Sequence, residues 1–148
     1  MKCATSIETE IPAATVAPTV CEIRLPMGLL GFEQIKDYLL IINPAEEPFR
    51  WLQVKDNSAL AFVVIDPFIL VPDYHPDIPQ ADVDFLGLSA PDEAALFNIV
   101  TIHGSQRATL NLKGPIVINR NTGVGKQVVL TNAAEFSVQH PLPVAETV

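Results

Sequence analysis

Apolar residues recur along the chain in short runs, some alternating with polar ones and some unbroken, with turn residues between them. Val20–Leu25 reads VCEIRL, the alternation of a half-buried strand. Tyr38–Ile42 and Trp51–Val54 are further strands, and Ala59–Ile65 is a buried strand apolar on both faces. The polar turn Lys55–Ser58 joins the last two as a hairpin. Asn98–Ile102, Ala108–Leu112, Pro115–Asn119 and Lys126–Leu130 follow, divided by Gly104-Ser105, Lys113-Gly114 and Asn121-Thr122-Gly123. Helical signals are few. Gly31–Lys36 predicts a short helix. Ser89–Glu93, with an early Pro and two acids, predicts another that ends near Phe97. Asp82–Leu88 fits helix or strand, and Pro72–Pro79 is a proline-broken loop.

The expected fold class is therefore mainly β: a small antiparallel β-barrel-like or folded-sheet domain with one or two short helices. Residues 1–19 are poorly patterned, with Ser6–Ile11 as a candidate edge strand. Residues 20–142 form one β domain. The pattern fades past Thr131, His140–Pro143 reads as the start of a tail, and residues 143–148 complete it.

Composition narrows the function classes. At 148 residues, 49% apolar and 18% charged, the chain buries a core without staples. Cys3 and Cys21 have no metal-ligand spacing and read as free thiols, with a disulfide between them as the alternative. The opening residues carry no apolar signal core, and no run is long enough to span a membrane, so a cytoplasmic protein is expected. Net charge is −8, and its distribution matters more than its size. Asp56 to Gln106 holds eight acids and no Lys or Arg, while the rest of the chain has nine acids and nine bases. Such a block repels phosphate backbones, which disfavours direct nucleic-acid binding. It would attract a basic protein, or serve only solubility.

A search for catalytic motifs finds little. His75, His103 and His140 stand in no metal-ligand spacing, and Asp73-Tyr74-His75 reads as a packed loop. Gly123 and Gly125 precede Lys126 without the rest of a phosphate loop. Asp66 reads as a carboxylate capping the turn after Ile65, with a raised-pKa base as the competing role. Trp51 reads as a core residue, and Arg50 as its charged neighbour paired with an acid or part of an interface. The expectation is no enzyme, no cofactor and no metal. The alternative is a small β-barrel enzyme or ligand-binding protein that uses Asp66, Tyr74 and His75.

Several pieces then coincide. They are Pro26-Met27-Gly28-Leu29-Leu30-Gly31-Phe32-Glu33, Pro48-Phe49-Arg50-Trp51-Leu52-Gln53, Leu60–Phe68 (LAFVVIDPF) and Pro72-Asp73-Tyr74. Asn98–Ile102, Thr109–Leu112, Gly114–Asn119 and Gly125–Leu130 follow. In this order, from about residue 24 to 142, they resemble the flagellar assembly factor FliW family. Met27 stands where that family usually has an acid, and the opening segment lacks its usual first hairpin signal. The resemblance implies a cytoplasmic, non-enzymatic regulator, here expected to be monomeric. It binds flagellin before export, and it binds and antagonises CsrA, the RNA-binding repressor of flagellin translation. Candidate protein-contact residues are Phe32, Glu33, Arg50, Asp73 and Tyr74, with Asp82, Asp84, Asp92 and Glu93 of the acidic block.

Overall fold

The computed structural model describes residues 1–5, 17–103 and 107–142. Its strands are β1 (Cys3–Thr5), β2 (Thr19–Arg24), β3 (Asp37–Ile42), β4 (Phe49–Val54), β5 (Asn57–Ile65), β6 (Ala94–His103), β7 (Arg107–Leu110), β8 (Ile116–Asn119), β9 (Gly125–Gln127) and β10 (His140–Leu142). Two short helices, α1 (Pro67–Leu70) and α2 (Gln80–Leu86), lie between β5 and β6. The strand order is β1-β2-β3-β4-β5-β6-β7-β10, with β8 on β6 and β9 on β8, and every ladder is antiparallel. The fold is thus mainly antiparallel β with two helices, as the patterning predicts. It is not a closed barrel: β1 and β10 end the path with one ladder each among the described residues.

β6 organises the molecule. Ala94–Phe97 pair with β8, Asn98 and Ile99 with β5, and Val100–His103 with β7. Two apolar cores flank this junction. One gathers Ile23, Leu25, Tyr38, Leu40, Leu52 and Val64 with Phe97, Ile116 and Ile118. The other gathers Ile65, Tyr74, Leu86, Val100 and Leu110 with Val117, Val128 and Leu142. Successive residues of β8 point to opposite faces, so Ile116 and Ile118 enter the first core while Val117 enters the second. All four residues of β8 are buried, Asn119 with hydrogen bonds to the Leu86 carbonyl and from the Asn121 N–H. Each of the three apolar side chains contributes about 1.5–3 kcal/mol through burial.

Several elements differ from the sequence reading. Gly31–Lys36 is not helical; the segment is a pair of turns set by Gly28 and Gly31, both at positive φ. Leu25 N–H donates to the Lys36 carbonyl, closing those turns off as a loop between β2 and β3. The helical signal at Ser89–Glu93 yields one 3-10 turn, Pro91–Glu93. Ala94–Phe97 are strand, because pairing with β8 buries them better than a short solvent-facing helix would. α1 was not legible, and of Asp82–Leu88 the first five residues lie in α2, with Gly87 as its cap and Leu88 beyond it. β5 is fully buried only at Val64 and Ile65; Leu60–Val63 are half-buried. Its hairpin turn shortens to Lys55-Asp56, since β5 begins at Asn57 opposite Val54. His140–Leu142 is no tail but β10, paired with β7. Residues 143–148 and all of Ser6–Ile11 lie outside the described residues.

The cysteines are not free thiols. Cys3 and Cys21 face each other across β1 and β2 and form a disulfide with their Cα atoms 3.9 Å apart. Cys21 is buried in the first core, so the bond fixes β1 to the outermost strand that contributes to that core.

Candidate protein-binding face

The segment from Asp66 to Glu93 builds one face of the molecule, and prolines and caps shape it. Asp66 Oδ1 accepts from the Phe68 N–H at 2.9 Å, and Pro67 supplies a preset φ at the first helical position, so α1 starts there. The Asp66 carboxylate is therefore a helix cap, as expected. Val71 N–H bonds back to the Pro67 carbonyl, and Tyr74 N–H to that of Val71. Tyr74 then turns inward and is 5% exposed. Its hydroxyl donates to the Leu112 carbonyl at 2.6 Å, and its ring packs on Phe68 and Phe136 at 5.7 and 4.9 Å between centroids. Burial pushes the Tyr74 pKa up, opposed by a hydrogen bond with Asn98. α2 ends at Gly87, whose φ of 67° lets its N–H reach the Asp84 and Val83 carbonyls. Glu93 folds back, its Oε1 accepting from the Ser89 N–H at 2.7 Å and the Ala90 N–H at 3.3 Å.

Between these pieces lies an open groove of about 430 Å³, with a floor of Phe68, Ile78, Val83, Leu88, Ala94 and Leu96. No charged side chain lines it. Acids stand beside the lining residues instead: Asp77 between Pro76 and Ile78, Asp84 after Val83, Asp92 after Pro91. These three are exposed, and none joins an ion pair among the described residues. Elsewhere on the molecule three acids are matched. Glu22 pairs with Lys55, Asp37 with Arg24 and Glu47 with Arg50, each at 3.2–3.3 Å. A second cleft there, lined by Lys2, Glu22, Arg24, Asp37 and Lys55, is mixed in charge.

The predicted contact residues do not form one set. Asp82 is 8% exposed and its carboxylate bonds Lys126 Nζ, a cation from outside the acidic block. Lys126 also lies 5.7 Å from the centroid of the Phe85 ring. Glu93 serves its own turn. Asp84 is exposed and accepts from Gln80 Nε2 at 2.9 Å, and Asp92 is exposed. Asp73 is exposed and its carbonyl meets His75 Nδ1 at 3.1 Å. Phe32, Glu33 and Arg50 belong to other segments. The Phe32 ring packs edge-on against Phe62 at 5.2 Å. Glu33 Oε2 accepts from the Gly31 N–H, the main cause of its lowered pKa. Arg50 bonds Glu47, and its guanidinium carbon sits 5.7 Å from the Phe97 ring centroid.

Trp51 is not a core residue. It is 37% exposed on the outer face of β4, with its Nε1 donating to Glu46 Oε1 at 3.2 Å. The register places it in a row with Ala4, Val20, Ile41 and Val63, so that face carries an apolar stripe across five strands. Asp66, Tyr74 and His75 have separate partners: a helix N-terminus, a buried carbonyl and, for His75 Nε2, Glu135 Oε1 at 3.0 Å. Among the described residues no three His, Cys, Asp or Glu side chains converge as a metal site. The groove floor was missed in the sequence because it is discontinuous; only its prolines signalled a shaped loop.

Comparison with known proteins agrees with this fold. The family described as FliW protein matches residues 5–142, reaching further toward the N-terminus than the motifs alone. A flagellar assembly factor FliW from Leptospira biflexa is 42% identical over 109 residues, 72% of this chain and 71% of that protein. One from Syntrophus aciditrophicus is 41% identical over 121 residues, 81% of this chain and 76% of that protein. A crystal structure of the flagellar assembly factor FliW superposes with a TM-score of 0.73 at 34% identity, covering 81% of this chain and 84% of that one. No described helix is long and apolar enough to cross a membrane. By sequence and by fold, the chain belongs to the FliW family of flagellar assembly factors.

Proposed function

We propose that this chain is a non-enzymatic cytoplasmic assembly factor that binds flagellin, and that binds and antagonises the translational regulator CsrA. In this reading, free flagellin occupies the factor and leaves CsrA to repress. Export of flagellin frees the factor to capture CsrA, so synthesis follows export. The supporting observation is the family match from residue 5 to 142, joined by relatives named as flagellar assembly factors. The unpaired acids beside the groove favour a basic protein partner over RNA. The test is co-purification of the tagged protein with flagellin and with CsrA from the same organism, at micromolar concentration and low salt. Capture of each is expected; capture of neither sinks the proposal. A gel shift of RNA by this protein alone would overturn the reading of its charge.

A further inference from the structure

We propose that the groove between α1, Pro72–Pro79, α2 and the Pro91–Glu93 turn seats a single amphipathic segment of a partner protein, apolar on one side and carrying Lys or Arg on the other. The inference deepens the protein-binding reading above and rests on it. The floor supplies Phe68, Ile78, Val83, Leu88 and Leu96, which pack inward on one side and leave apolar surface in a cleft open to solvent on the other. The edges supply Asp77, Asp84 and Asp92, three exposed carboxylates without an ion-pair partner among the described residues. An apolar floor within an acidic rim matches a segment of that one chemistry.

The walls are already rigid. Pro67, Pro76, Pro79 and Pro91 fix φ along them, and Asp66 and Glu93 spend their carboxylates capping backbone amides. Lys126 holds Asp82 on the buried side of α2, so the outward Val83 and Asp84 are presented on an anchored helix. A preformed groove loses little conformational freedom when it is filled. A second copy of this chain is disfavoured, since both copies would bring the same unpaired acids and a net charge of −8.

The test uses two synthetic peptides of about 14 residues, roughly four helical turns, that share one Leu/Ala face. One carries Lys at every polar position, the other Glu. Binding is followed by fluorescence anisotropy, and its location by amide chemical-shift mapping on the full chain. The Lys peptide should bind at least about 10-fold tighter than the Glu peptide, with the advantage shrinking as salt rises from about 0.05 to 0.5 M. Shifts should centre on Val83, Leu88 and Leu96. The combined variant Asp77→Asn, Asp84→Asn, Asp92→Asn should weaken the Lys peptide about 5-fold or more and leave the fold unchanged by circular dichroism. Val83→Glu should weaken both flagellin and CsrA, or whichever of them uses the groove. Equal binding of the two peptides would overturn the proposal. So would shifts centred on the Trp51 face, or self-association of the chain through the groove. If Val83→Glu abolishes peptide binding while both partners still bind at full strength, the groove is not their seat and the proposed function stands without it. If the peptide binds as expected while neither natural partner is captured, the groove stands and the partner reading falls.

Discussion

Asp82 and Asp84 are two residues apart on α2, yet the first is 8% exposed and bonded to Lys126 while the second faces solvent. Asp82→Asn should destabilise the fold by about 1–3 kcal/mol, since it leaves a half-buried ammonium without its anion. Asp84→Asn should stay within about 0.5 kcal/mol. Urea melts of the two variants check the pair; equal midpoints would show the Lys126 contact to be idle. Neutralising all the acids of the block at once would confuse these roles. The sequence could not separate them, because Lys126 lies 44 positions from Asp82. Trp51 was misread for a related reason: a lone Trp is usually core, but here Leu52 takes the inward side of β4. His75 offers a pH handle. The Glu135 carboxylate, and then the Asp73 carbonyl, raise its pKa. A His whose pKa is raised on folding adds stability that is fully present below the unfolded value near ~6.5 and is lost as pH rises through the folded value. The ring-proton NMR titration of His75 should therefore shift to lower pH in Glu135→Gln; an unmoved midpoint would refute the pair.

At the scale of elements, the loop between β2 and β3 depends on Gly28 as a backbone position. A Cβ at Gly28 would lie 2.5 Å from Glu33 Cα and 2.6 Å from the Phe32 carbonyl oxygen, at a φ of 67°. Gly31 has φ 88° but open space around it. Gly28→Ala should therefore lose at least about 2 kcal/mol, against about 1 kcal/mol for Gly31→Ala, read from denaturant midpoints. Comparable losses would mean that backbone strain alone decides both. Strands with clean alternation or buried runs, such as β2, β3, β6 and β8, were legible because periodicity reports burial directly. β10 was not, since it is three residues long with Pro141 in its middle. Pro141 sits at a sheet edge, where its missing N–H does no harm. The Ser89–Glu93 signals predict a helix running to Phe97, but they open only a 3-10 turn because pairing with β8 claims Ala94–Phe97. Long-range pairing of that kind leaves no local mark.

For the whole molecule, the class of fold and the concentration of negative charge were legible; the groove was not, because its floor comes from α1, the proline loop, α2 and β6 together. The sequence favours free thiols, and register overturns that reading, since Cys3 and Cys21 are direct partners. It closes a loop of sequence separation 18, so Cys3→Ser should lower stability by about 3 kcal/mol under oxidising conditions and change little in a thiol reductant. A cross-strand disulfide is uncommon in a reducing cytosol, so thiol counting on freshly lysed cells would test the proposed compartment as well. The strand shared by three ladders carries the last consequence. Because β6 and its neighbour β8 wall both cores, neither core can open while the other stays shut. In deuterated water the buried amides of β6 and β8 should be the most protected, all with one opening free energy, and β1 and β10 the first to label. Two slow classes divided at Asn98 would mean two independent folding units; a single class makes the chain a unit that cannot be cut in half and survive.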